Sequence, residues 1–156
     1  MKTHILTILA ILAALLSPGS AEPSSAKQPP VGVPADAKLF NGKWYRVYID
    51  KTKWKSARDK CARLGGQLAM VPDEPTHVFI KILGEGRELW LGATDEKSPT
   101  IWKWLDGTDM KFKAWNRDEP TGGKEHYLEV TRNGGWNDCR DDDLSSSGYI
   151  CEWKAK

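Results

Sequence analysis

The chain has 156 residues and a formal net charge of +2, with 40% apolar and 28% charged residues. That length suits one ordinary domain and is too short for two with proper cores. No basic patch interleaved with aromatic residues is present, which argues against a nucleic-acid partner.

The first 21 residues read as a secretory signal peptide. Lys2 is followed by an apolar run from Ile5 to Leu16, then by the small residues Gly19 and Ala21. The run is shorter than the roughly 17–25 apolar residues a membrane span needs, so the mature chain is expected to carry no span. Export to an extracellular or periplasmic space follows, and it makes disulfides permissible. Residues 22–37 are rich in proline and serine and read as a linker. The folded domain is expected to occupy residues 38–156.

Within it, Trp44 to Ile49 has the aromatic and β-branched content of a strand. Trp54, Ala57, Cys61 and Leu64 recur at three- and four-residue steps, one face of a helix. Thr52 is its expected N-cap, and Gly65-Gly66 supplies the stop. A short strand, GQLAMV, precedes a second helix over Glu74 to Leu83, capped by Asp73 with Pro75 in its first turn. ELWLGAT and WKWL have strand composition, and residues 106–120 read as loop. YLEV, GGWND and GYICEW read as closing strands. Two early helices, several short strands and a long irregular segment predict an α+β domain. The eight tryptophans are expected in the core, because each ring buries a large area.

Cys61, Cys139 and Cys151 permit one bridge and leave one cysteine over, and the arithmetic does not choose the pair. The Asp141–Asp143 run reads as a solvated turn, and His77 as an ordinary helix residue. His126 beside Glu125 invites an acid–base reading, but no nucleophile motif or enclosed catalytic set accompanies it.

Taken together the motifs resemble the C-type lectin-like domain over about residues 40–154. They are the opening WYRVY, Trp54 and Cys61 before Gly65-Gly66, and Trp90-Leu91-Gly92-Ala93. Asp106-Gly107 with Trp115, Glu119-Pro120-Thr121 with Trp136-Asn137-Asp138, and the terminal Cys151-Glu152 complete the set. The resemblance implies two helices with small antiparallel sheets and a long irregular ligand-binding loop. It implies a Cys61–Cys151 bridge. The family's second bridge is missing, because Tyr127 stands where its first cysteine would lie, and Cys139 falls outside the pattern, with interchain pairing as an alternative role.

The resemblance also carries a calcium site onto Glu119, Thr121, Glu125, Asn137 and Asp138. Calcium takes six to eight oxygen ligands, and four of these five residues are chemically suited. Thr121 is the departure, with a shorter and weaker ligand than asparagine or aspartate and no NH₂ donor for a sugar. Convergent carboxylates without a cation would repel one another, so a scaffold has no need of them. An accessory calcium site near Asp95 is not expected, because Pro99 and Gly122 replace the acids it would need. The implied function is a secreted calcium-dependent lectin, not an enzyme. Its carbohydrate or glycoconjugate ligand would be held through the ion, with Trp115 or Trp136 available to the sugar ring. The alternative is a binding module for a protein or other surface ligand, with calcium structural or absent.

Overall fold

The computed structural model describes residues 27–155 except 143, 145 and 147. The expected signal peptide, the first part of the linker and Asp143 lie outside the described residues. Two helices sit with eight strands in the order β1 (Lys38–Phe40), β2 (Lys43–Tyr48), α1 (Trp54–Arg63), β3 (Gln67–Leu68) and α2 (Glu74–Gly84). Then come β4 (Leu89–Thr94), β5 (Lys103–Trp104), β6 (Tyr127–Val130), β7 (Trp136–Cys139) and β8 (Gly148–Lys154). The architecture is α+β.

The strands form one connected sheet of order β1-β2-β8-β4-β6-β7, with β3 attached to β8 and β5 to β4. The expectation of small antiparallel sheets needs amending in one respect. β4 and β8 run parallel, with Leu89 opposite Gly148 and Trp90 opposite Tyr149, so the sheet is mixed. This pairing joins the middle of the chain to its end.

The opening strand is a hairpin rather than a single strand, because Asn41 and Gly42 both adopt positive φ, 43° and 71°. A tight turn of that kind matches the twist of the flanking strands and accounts for β1. Lys53, not Thr52, is the N-cap of α1, and its side chain makes no capping bond. Thr52 serves the fold differently: its carbonyl accepts the Trp90 indole N–H at 2.8 Å. In α2 the expected cap is present, with Asp73 Oδ1 accepting from Thr76 N at 2.9 Å.

Helix α1 buries Trp54, Ala57 and Cys61. Its Trp54 indole donates to Leu91 O at 2.7 Å, which ties the helix to β4. Gly92 is required there, since a Cβ would stand 2.5 Å from Leu68 O. A Cys61–Cys151 disulfide joins α1 to β8 across 90 residues, with a Cα separation of 5.5 Å. Seven of the eight tryptophans are buried: Trp44, Trp54, Trp90, Trp102, Trp104, Trp136 and Trp153. The eighth, Trp115, is partly buried against the same core.

Candidate functional site

The long segment between β5 and β6 is irregular in backbone but firmly seated. Trp136, at the start of β7, donates its N–H to Ala114 O and accepts at its carbonyl from Asn116 N, both at 2.8 Å. Its ring is wholly buried and meets Trp104, Trp115, Phe112 and His77 edge-on. Trp136 is therefore unavailable to a sugar, and aromatic packing fixes the loop's descent onto β7. The chain then turns through Asp118, at φ 66°, and a cis Glu119–Pro120 peptide.

Beyond that turn, four of the five expected site residues meet in one bonded cluster. Thr121 N donates to Asp138 Oδ1 at 2.9 Å and to Glu119 Oε2 at 3.0 Å. Gly122 N donates to Asp138 Oδ2 at 2.6 Å, and the Thr121 hydroxyl donates to Glu125. Asp138 is 1% exposed, so its carboxylate needs these donors in place of water. Burial, and then the hydrogen-bonded Asp138 carboxylate, push the Glu119 carboxyl above its ordinary range. This is the response of like charges brought together out of water.

Asn137 is not in this cluster. It faces Glu129 directly across the β6–β7 ladder, while Asp138 faces Leu128. Successive side chains of a strand point to opposite faces, so the neighbours Asn137 and Asp138 part company. The Asn137 amide donates to Glu129 Oε1 at 3.2 Å and to Cys139 Sγ at 3.1 Å. Glu129 is 3% exposed and also accepts from the Ser146 hydroxyl at 2.5 Å. Sequence reasoning passed over Glu129. The signal available was a carboxylate inside the otherwise apolar run YLEV.

Cys139 is buried and pairs in register with Tyr127. With the sulfur at 2% residue exposure, an interchain bridge would require β7 to open. At Asp95 both carboxylate oxygens are in use: Oδ1 lies 2.8 Å from His126 Nδ1 and Oδ2 accepts from Thr100 N at 2.6 Å. His126 thus braces the 95–100 turn from the strand edge.

Among the described residues no three His, Cys, Asp or Glu side chains already stand together as a metal-holding group. The cause is visible in the bonds: Asp138 is turned onto two N–H groups and Glu125 onto the Thr121 hydroxyl. The donor set still fits calcium by its chemistry. Three carboxylates and a hydroxyl are hard oxygen ligands, and burial together with the neighbouring Asp138 carboxylate raises the Glu119 carboxyl, a penalty a dication would relieve.

The chain matches the family described as the lectin C-type domain over residues 50–153. It is 29% identical over 119 residues to the hepatic lectin of Gallus gallus, covering 72% of this chain and 56% of that one. It resembles the mouse scavenger receptor C-type lectin carbohydrate-recognition domain at a TM-score of 0.72 and 27% identity, over 80% of this chain and 98% of that one. Herring type II antifreeze protein is similar at a TM-score of 0.73 and 29% identity, over 80% and 100% of the two chains. The chain thus spans less than two thirds of the hepatic lectin's length while matching the two solved structures nearly end to end. Among the described residues no helix is long and apolar enough to cross a membrane. The chain belongs to the C-type lectin domain family, a family of binding proteins that are not enzymes.

Proposed function

We propose that this domain is an exported calcium-dependent lectin whose ligand site is the cluster of Glu119, Thr121, Glu125 and Asp138, with Asn137 at its edge. The observation that carries the reading is that Thr121 bonds to three carboxylates, through its N–H to Glu119 and Asp138 and through its hydroxyl to Glu125. A lectin relative and a carbohydrate-recognition domain among the similar proteins support it. Bound calcium would supply coordination for two neighbouring sugar hydroxyls. Glu119 and Glu125 would accept hydrogen bonds from those hydroxyls, while Asp138, buried beneath, anchors the loop. Affinity for a single sugar would be weak, because the contact is small and wet.

Exported proteins use calcium sites with dissociation constants of about 0.1–1 mM. At about 10 mM calcium such a site would stabilise the domain by about 1.4–2.7 kcal/mol. A thermal-unfolding series with and without calcium tests this, and no shift at saturating calcium would remove the metal from the proposal.

A second reading has its own observation. The cluster is already bonded internally, with both Asp138 oxygens on N–H groups and the Thr121 hydroxyl turned inward. A loop so satisfied can present a surface to a ligand without a cation, and the similarity to an antifreeze protein shows that this fold serves more than sugars. Ligand binding that survives excess EDTA would select it.

A further inference from the structure

Among the described residues the buried carboxylate of Glu129 makes two bonds, to Asn137 and to Ser146, and both partners are neutral. A carboxylate 3% exposed, with no ion pair among the described residues, is a costly thing to keep in a strand where its neighbours are Leu128 and Val130. What it does there follows from its chemistry. Its oxygens accept hydrogen bonds, so the group of Asn137 that faces it is the NH₂ rather than the carbonyl oxygen. The same nitrogen also donates to Cys139 Sγ at 3.1 Å. The NH₂ of Asn137 is thus engaged by two acceptors inside the ladder, and the atom turned away from them is Oδ1.

We infer that Glu129 is a positioning residue that locks the Asn137 amide, so that Asn137 can offer a bound cation or ligand only its carbonyl oxygen. The inference rests on the calcium-lectin reading of the adjacent cluster. It also bears on selectivity. Thr121 brings no NH₂, and its hydroxyl is donated to Glu125. With Asn137 locked, the side chains of the site present acceptors alone, so ligand hydroxyls must enter as donors.

Glu129→Gln tests this with little change of shape, because a glutamine can face Asn137 through either its oxygen or its NH₂ and no longer dictates the flip. Two readouts are needed. The first is hydrogen exchange at the Asn137 side-chain amide by NMR, in the metal-free protein, where the wild type should be protected and E129Q should not. The second is calcium affinity, expected to fall about 10–100-fold as it does when partners orienting metal ligands are lost. Ser146→Ala removes the other bond to Glu129 and should leave both readouts near wild type. Equal calcium affinity in E129Q and wild type would overturn the inference while leaving the calcium reading in place. An equal loss in S146A would also overturn it, by showing that Glu129 acts through the β7–β8 loop. A wild-type protein with no calcium affinity would overturn the calcium reading and this inference with it.

Discussion

The backbone N–H of Thr121 donates to Asp138 Oδ1 at 2.9 Å, joining a loop residue to β7 across 17 positions of sequence. Gly122 N reaches the other oxygen of the same carboxylate at 2.6 Å. One side chain thus holds the candidate ligand loop onto the sheet, and it does so from a buried position where the alternative of water is absent. Replacing Asp138 by alanine should leave Gly122 N without its acceptor and Thr121 N with Glu119 alone. Hydrogen bonds to a charged group contribute about 1.5–3 kcal/mol, so D138A is expected to lose stability on that scale in urea titrations and to lose its response to calcium. A D138A domain as stable as wild type would mean that the loop is held by other contacts.

Thr121 stands where a longer side chain would reach a cation better. Thr121→Asn would supply an amide oxygen and an NH₂ in place of a hydroxyl donated to Glu125. Calorimetric calcium titration is expected to show a gain of about tenfold, the equivalent of about 1.4 kcal/mol. Unchanged affinity would place Thr121 outside the ligand set.

His77 sets an acid limit on the fold. Its buried Nδ1 has no hydrogen-bond partner among the described residues, and its ring lies 5.7 Å from both Phe112 and Trp136. Burial holds its pKa below the ordinary value, with Glu74 raising it and Lys81 lowering it to lesser extents. The folded state therefore binds fewer protons than the unfolded state just below pH about 6.5, and stability must fall as pH falls through that region. His77→Phe should flatten this acid slope and, by removing an orphaned polar atom, raise stability at neutral pH by about 1 kcal/mol. Chemical denaturation at several pH values from 5 to 8 reads both effects, and a slope unchanged in H77F would assign the acid sensitivity to other groups.

The Cys61–Cys151 bridge closes 90 residues of chain. In the chain-entropy description, loss of a loop of that size removes about 4–5 kcal/mol. Paired alanine substitutions at both positions are expected to lower the denaturation midpoint accordingly. A double variant within about 1 kcal/mol of wild type would show that native-state strain or residual unfolded structure offsets the entropy.

Much of this architecture was legible residue by residue where the cause is local. Asp73 announces its helix because a carboxylate before a helical run caps N–H groups three residues on, and it does so here. Trp54, Ala57 and Cys61 lie on one face because of their spacing, and all three are buried. The hairpin at Asn41-Gly42 has a local signal too, since that dipeptide favours a tight two-residue turn. What could not be read were relations across long sequence separations. The parallel contact of β4 with β8 depends on how the two halves meet, and no local pattern encodes it. The parting of Asn137 from Asp138 depends on register, because a one-residue slip would exchange their faces. Glu129 was hidden for the same reason: only the β6–β7 pairing sets it opposite Asn137.

Glycan-array binding of the exported chain, in saturating calcium and again in excess EDTA, addresses the central proposal most directly. The cluster of Glu119, Glu125 and Asp138 leads us to expect glycan signals in calcium that vanish in EDTA and return when calcium is restored. Signals unchanged by EDTA, or no glycan bound at saturating calcium by a folded protein, would contradict it.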